Sequence, residues 1–368
     1  MVTFFRKEPV LCVSAVCAVI SMFLVPPSAQ YIEYIDFRVL ALLFCLMAVI
    51  AGLQKCGVFA VLAQKLLEGK RQLRLLYLFL VLLPFFASML ITNDVALITF
   101  VPFAVMVLEL VGKQEAMIPV IVLQTIGANL GSAATPVGNP QNLFLYEQYH
   151  LSAGQFFGAV IPVAVFSLIV LTGVCLFWFS RQRLEISFPE QQHITSMKNV
   201  TVFFVLFLLC LLCVFRILPY GVLLLLVCAG LLLADRGIFR DVDYGLLATF
   251  VCFFIFAGNM GNLTPVRTVL ESWMNETALY TSAAASQVIS NVPAAVLLSG
   301  FTDHWKELLL GVNIGGLGTP IASLASLISF RLYMKTQGAR SGKYLLFFTQ
   351  ANLLGLLLLF LLAQLVLL

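Results

Sequence analysis

The stretch GANLGSAATPVGNPQNL, residues 127–143, decides the fold. It is flanked by apolar sequence, yet its Gly, Pro and Asn content belongs to a loop. Pro donates no amide to a helix ladder, and Gly weakens a helix. A helix entering this stretch must stop, and another must start. The pattern returns at 311–327 as GVNIGGLGTPIASLASL. At an offset of 184, Gly127/Gly311, Asn129/Asn313, Gly131/Gly315, Thr135/Thr319, Pro136/Pro320 and Leu143/Leu327 coincide, six identities in 17 positions.

Upstream of each copy lies an apolar hairpin with a polar tip, Thr92-Asn93-Asp94 in one and Ser290-Asn291-Val292 in the other. Further upstream, an Asp precedes a span that ends in Ala-Gly: Asp36 before Ala51-Gly52, and Asp243 before Ala257-Gly258. The order is span, hairpin, broken helix, twice over. The first repeat is placed at 1–180 (hairpin 75–111, broken helix 118–149). A linker with an extra span follows at 181–219, then the second repeat at 220–368 (hairpin 278–300, broken helix 308–330).

Composition sets the environment. Of 368 residues 61% are hydrophobic and 10% are charged, against about 25% charged in a soluble domain. The mean hydropathy is +1.04. That excludes a cytosolic enzyme, a nucleic-acid binder and a disordered scaffold. The apolar runs are continuous rather than alternating, so the class is an all-α polytopic membrane protein rather than a barrel. Full spans are expected near 10–27, 37–54, 118–149, 156–180, 200–215, 220–234, 244–262, 308–330 and 344–368. With the two hairpins this is about nine spans plus two re-entrant pieces. Residues 58–67 form an amphipathic piece that can lie at the interface or continue the second span as a short helix.

Charge orients the chain. With the N-terminus inside, 17 of the 21 Lys and Arg fall in inside segments, and only Arg38, Arg216, Arg267 and Lys306 fall outside. The expected placement is a bacterial inner membrane, with a cytoplasmic N-terminus and a periplasmic or extracellular C-terminus. In that topology the two hairpins open from opposite sides and the repeats are inverted, a hallmark of secondary transporters. No HExxH, GxSxG or paired CxxC pattern occurs. The CxxC of Cys210 and Cys213 sits in an apolar helix and reads as packing. No enzyme activity is expected.

Broken helices at membrane depth survive only where they are buried in protein or line a wet cavity. Half-helices that end present carbonyls suited to Na+, and those that start present amides suited to an anion. Pro136 and Pro320 are each expected to open a new half-helix. The candidate substrate- and ion-binding set is Thr92, Asn93, Asp94, Asn129, Thr135, Pro136, Gly138, Asn139, Asn142, Ser290, Asn291, Asn313, Thr319, Pro320 and Ser323. Na+ is a candidate at Asn93, Asp94, Gly138 and Asn291. Asp94 lies far from any charged loop and reads as an ion or proton ligand, or as the cap of the second hairpin arm. The glycine pairs Gly127/Gly131 and Gly311/Gly315 read as helix packing.

At these residues the sequence resembles the ion transporter superfamily. That group holds divalent anion:sodium symporters, citrate-type carriers, arsenite efflux permeases and one class of Na+/H+ antiporters. Symporters there carry Ser-Asn-Thr at each hairpin tip and a Thr-Pro break in the next helix. Here those places read Thr92-Asn93-Asp94, Thr135-Pro136 with Gly138-Asn139-Pro140-Gln141-Asn142 behind it, Ser290-Asn291-Val292 and Thr319-Pro320. The closest likeness is to small uncharacterised bacterial inner-membrane permeases of the group. The resemblance implies a homodimer with a scaffold part and a moving part, working by an elevator-like alternation.

Both third tip positions depart from Thr. Asp94 would repel a dicarboxylate, and Val292 offers no side-chain hydrogen bond. The expected function is therefore secondary transport of a small anion or oxyanion, coupled to Na+ or H+, with no resident cofactor. The other reading is a cation/H+ antiporter using Asp94. The partners expected are a small or ionic solute and the lipid bilayer, with no nucleic acid.

Overall fold

The computed structural model describes residues 9–179, 182–186, 188 and 191–367. The expected inside segment with Arg6 and Lys7 lies outside them. The described residues fold into helices joined by one short strand pair. The helices are α1 (Pro9–Leu24), α2 (Gln30–Tyr34), α3 (Phe37–Lys55), α4 (Val58–Leu67), α5 (Leu73–Ala87), α6 (Asn93–Leu110), α7 (Met117–Ser132), α8 (Pro140–Gln148) and α9 (Ala153–Trp178). They continue with α10 (Met197–Val214), α11 (Tyr220–Ala234), α12 (Tyr244–Asn262), α13 (Thr264–Ile289), α14 (Asn291–Leu298), α15 (Trp305–Ile314), α16 (Leu324–Tyr333) and α17 (Ser341–Leu367).

Six of them, α3, α6, α9, α10, α12 and α17, are long and apolar enough to cross a membrane alone. The shorter α1 and α11 and the two broken pairs α7/α8 and α15/α16 complete the expected set. The architecture is an all-α polytopic membrane protein. One departure is the first hairpin: its second arm, α6, has 18 residues and is about 27 Å long at ~1.5 Å per residue. The matching arm α14 has only 8.

The first arm of the second hairpin is the latter half of α13, which kinks at Thr277 (φ −144°). The half before the kink is largely exposed, apart from the buried Met274, and carries an Arg267–Glu271 pair at 2.7 Å. It mirrors α4, the amphipathic piece before the first hairpin.

Local signals explain the helix starts. Asp36 caps α3 by accepting from Val39 N at 2.9 Å, and Asp243 caps α12 by accepting from Leu246 N at 2.8 Å. Ser152 and Gln155 form a capping box on α9. The glycine pairs let helices touch. A Cβ at Gly127 would sit 3.1 Å from the Val81 carbonyl, and one at Gly131 would overlap the Phe85 carbonyl. In the second half, Gly311 meets the Leu279 carbonyl and Gly315 meets Ala283 Cα. In each half the broken helix thus packs on the first arm of its hairpin at matching positions.

The molecule has two chemically distinct ends. At one, β1 (Gly69–Gln72) pairs antiparallel with β2 (Arg183–Ile186), Lys55 bridges Asp235 at 2.8 Å, and Thr195 N donates to the Cys56 carbonyl. At the other, Tyr149 Oη donates to the Ser299 and Thr302 carbonyls, Asn262 Nδ2 to Tyr34 Oη, and Lys306 Nζ to the Val366 carbonyl. The first hairpin starts directly after β1, and its second arm brings Phe103 to 5.9 Å from Phe188, at the strand end. The second hairpin starts with Tyr280 beside Gln364 and returns to Ser299 at the opposite end. The hairpins enter from opposite ends, so the halves are inverted.

At the second end Glu147, 3% exposed, lies between Arg38 (3.0 Å) and Arg216 (3.6 Å). Arg38 also donates to the Cys213 carbonyl and Arg216 to the Tyr146 carbonyl. This cluster pins α8 to α3 and to the turn after α10.

Candidate functional site

Two hairpin tips and two helix breaks meet in the protein interior. Each tip is tied to the break of its own half by the same two bonds. In the first half Thr135 Oγ1 donates to the Met89 carbonyl at 2.5 Å, and Asn93 N donates to the Gly138 carbonyl at 3.2 Å. In the second, Thr319 Oγ1 donates to the Gln287 carbonyl at 3.1 Å, and Asn291 N to the Ala322 carbonyl at 3.0 Å.

Other bonds cross between the halves. Ser323 Oγ donates to Asn129 Oδ1 at 3.1 Å, and Asn139 Nδ2 donates to Asn313 Oδ1 at 3.2 Å. Asn129 Nδ2 reaches the Gly316 carbonyl at 3.4 Å, while Asn313 Nδ2 donates to Asn142 Oδ1 at 2.7 Å. Asn93 Nδ2 joins through Asn129 Oδ1 at 2.9 Å. Asn142 Nδ2 then closes on the carbonyls of Ala133 and Thr135 at 3.0 and 3.1 Å. Asn93, Asn129, Asn139, Asn142, Asn313 and Ser323 are all buried. A buried polar network is costly if half satisfied and rigid if satisfied. This one holds both breaks in a fixed relation.

The two prolines do not open half-helices. α8 begins at Pro140 and α16 at Leu324, so Pro136 and Pro320 lie within the breaks. Pro140 takes the first helical position, where its missing amide is not needed. Asn139 caps it by accepting from Asn142 N at 2.9 Å. No side chain caps α16, because the Ser323 hydroxyl is turned to Asn129.

Thr319 is exposed, and its hydroxyl turns to the Gln287 carbonyl rather than to the buried amides. Thr92 precedes α6 without a side-chain cap bond. Ser290 turns the second tip at φ +73°, and its Oγ donates to the Ala322 carbonyl at 3.3 Å. Each tip Asn accepts from the next amide in the chain, Asn93 from Asp94 N at 3.1 Å and Asn291 from Val292 N at 2.9 Å. Asn291 Nδ2 lies against Gly316, where a Cβ would come within 3.1 Å of it. Gly138 has no room for a Cβ beside the Ser132 carbonyl.

Asp94 sits in the first turn of α6, where a helix N-terminus favours a carboxylate. Its Oδ1 is buried with no hydrogen-bond partner, and no ion pair engages it among the described residues. Of the candidate set it alone brings a formal charge.

Two residues that sequence reasoning passed over belong to this frame. Gln287 donates to the carbonyls of Gly315 and Leu317 at 2.7 and 3.0 Å and accepts from Thr319 N at 2.8 Å. It packs against Gly318, whose φ of +108° requires glycine. Ser132 donates to the Asn129 carbonyl and accepts from Asn139 Nδ2 at 3.2 Å. A Gln within an apolar hairpin arm was the available signal for the first. Ser132 faces Gly316 in the repeat alignment, so matching identities hides it.

The chain matches the citrate transporter family over residues 3–302. An uncharacterised transporter of Methanocaldococcus jannaschii is 31% identical over 323 residues, covering 86% of each chain. The inner membrane protein YbiR of Escherichia coli is 32% identical over 308 residues, 81% of this chain and 80% of its own. A silicon efflux transporter of Oryza sativa is 32% identical over 147 residues, 39% of this chain and 30% of that one. With its paired hairpins and broken helices, the chain belongs to the citrate transporter family of membrane transporters.

Proposed function

We propose that the protein is a secondary active transporter of a small anion or oxyanion, coupled to Na+ or H+ and working by elevator-like alternating access. The observation that carries this reading is the uncapped start of α16 in the interior. Its first turn has no side-chain cap, and in that turn Ser326 Oγ is buried without a partner among the described residues. Amides at a helix start attract an anion. The tip carbonyls and the unpartnered Asp94 Oδ1 supply hard oxygen ligands for a coupling cation. Asn93, Asn129, Asn291 and Asn313 hold these groups in place; Thr92, Thr135, Gly138, Asn139, Asn142, Ser290, Thr319 and Ser323 support them.

The same proposal puts the strand-bearing end in the cytoplasm of an inner membrane, on the positive-inside bias, and takes the working unit as a homodimer. A second reading, cation/H+ antiport, is favoured by Asp94 alone: a lone buried carboxylate can carry a proton one way and a cation the other.

The test is flux in proteoliposomes. An anion panel is offered under an imposed Na+ or proton gradient, and ion-driven uptake of one anion is expected. Asn93→Ala or Asn291→Ala should abolish it while leaving a monodisperse protein. Unchanged flux in both variants would remove the site assignment. Cation-for-proton exchange with no anion flux would select the second reading.

A further inference from the structure

Away from the central network, an apolar crevice of about 240 Å³ opens between α7, α9 and α17. Leu123, Ile126 and Leu130 of α7 form its floor. Ser167, Val170, Val174 and Trp178 line one wall, and Phe347, Ala351, Leu354 and Leu358 the other. The surface around it is the apolar face expected to meet lipid: Ile169, Phe177, Leu353, Leu357 and Leu361 are all exposed. The Ser167 hydroxyl is spent on the Val163 carbonyl, and the amide of Gln350, itself exposed, is the other polar group in an otherwise apolar lining.

Its dimensions and charge point to one occupant. From Phe347 to Leu358 α17 rises about 16 Å, close to one leaflet of a hydrocarbon core ~30 Å thick. Trp178 and Phe347, with ring centroids 5.6 Å apart, mark its mouth at the strand-bearing end. One turn before Phe347 on the same helical face stands Lys343, with Arg340 just ahead of the helix start. Both are exposed, and neither forms a salt bridge among the described residues. Two cations beside the amides of a helix N-terminus suit a phosphate. Trp at this level is where an amphipathic ring sits against headgroups.

We propose that this crevice is a binding site for one anionic phospholipid of the leaflet at the strand-bearing end. Its phosphate sits by Lys343 and Arg340, and one hydrocarbon chain lies between α9 and α17. The site is independent of the transport reading.

The test uses Trp178 as reporter in a Trp273→Phe/Trp305→Phe protein reconstituted in nanodiscs. Lipid brominated in its chains, either phosphatidylglycerol or phosphatidylcholine, competes with unbrominated lipid. Brominated phosphatidylglycerol should quench Trp178 with about a fivefold preference, lost in Lys343→Gln/Arg340→Gln. Ala351→Phe, which fills the crevice and leaves both cations, should lose it too. Equal quenching by the two lipids overturns the proposal. So does a preference that survives Ala351→Phe, which would mean headgroup contact without chain insertion. Absence of quenching by any lipid also overturns it, because a second protein copy would then cover the face. Native mass spectrometry of the unsubstituted chain gives an independent reading: one retained phosphatidylglycerol is expected, and none overturns the proposal.

Discussion

Asn129 and Asn313 occupy equivalent places 184 residues apart, and each accepts at Oδ1 from the residue that precedes the other half's new helix. Ser323 Oγ reaches Asn129, and Asn139 Nδ2 reaches Asn313, at 3.1 and 3.2 Å. Ser323 and Asn139 are themselves repeat equivalents. The exchange is that of a local two-fold: a contacts b′ while a′ contacts b. The two breaks meet each other in this exchange, and the relation of the two half-helix starts is fixed by four side chains.

That exchange has a measurable cost. Asn129→Ala leaves Asn93 Nδ2 and Ser323 Oγ without their acceptor, and a buried unsatisfied group costs about 1–3 kcal/mol. Its unfolding midpoint in detergent should fall. In a double-mutant cycle with Ser323→Ala the two changes should couple by roughly 0.5–3 kcal/mol. Strict additivity would mean that the pair does not interact in solution.

Gly131 and Gly315 test the packing of each broken helix on its hairpin. Gly131→Ala places a methyl on the Phe85 carbonyl, and Gly315→Ala places one against Ala283 Cα. Backbone cannot swing aside as a side chain can, so overpacking should cost at least about 1–3 kcal/mol. Gly154→Ala, at a position with open space, serves as control. The expected outcome is a lower melting temperature and poor yield for the first two, with the control unaffected.

Much of this was legible in the sequence. The bounds of α4, α11 and α12 coincide with the expected 58–67, 220–234 and 244–262, because apolar runs bounded by Gly, Asp and Pro leave little choice of where a helix ends. The breaks were legible from Gly and Pro. Which residue restarts the helix was not: Asn139 with Pro140 makes a better start than Pro136, and that depends on cap geometry. Gln287 left only the trace of a polar residue in an apolar arm, because its partners are the Gly315 and Leu317 carbonyls that the fold brings near. Ser132 was illegible because its tie to Asn139 exists only once the break is folded. The same holds for Glu147. Charge counting placed Arg38 and Arg216 on the outside, and nothing local shows that both converge on one buried carboxylate.

Glu147 should therefore be among the costliest single changes. Glu147→Ala leaves two guanidinium groups facing each other with their common partner gone. Removing one member of a buried ion pair costs about 3–5 kcal/mol. Glu147→Asp, which keeps the charge on a shorter arm, should recover part of the loss. Thermal unfolding of the two variants checks the order; equal loss in both would mean that packing, not charge, sets the effect.

The Lys55–Asp235 bridge gives a pH dependence outside the spans. The Lys55 ammonium and the Gly237 amide hold the Asp235 carboxyl below the usual carboxylate range. A group depressed in the folded state contributes stability above its unfolded pKa and loses it as pH falls through the folded pKa. The contribution is thus present at neutral pH and fades in acid, below the ordinary Asp range. Melting temperature against pH should drop less steeply at the acid end for Asp235→Asn than for the unsubstituted protein. The effect is small, because the pair is partly exposed. Identical acid slopes would mean that the bridge does not hold in solution.

Asp94 decides between coupling ions. A ligand that binds only the folded state raises stability by RT ln(1 + [L]/Kd), about 2.7 kcal/mol at a hundredfold excess over Kd. Melting is compared in NaCl and KCl at equal ionic strength, so that screening cancels. A rise specific to Na+ that disappears in Asp94→Asn places Na+ at this carboxylate, whose Oδ1 has no other partner among the described residues. A Na+-specific rise that survives the substitution moves the ion to the carbonyls and amides of the tips. With no Na+ effect, a proton becomes the coupling ion. Asp94→Asn, which cannot release one, should then lose pH-driven flux while keeping exchange of solute for solute. Loss of both kinds of flux in a folded variant would show that Asp94 shapes the solute site itself rather than the coupling.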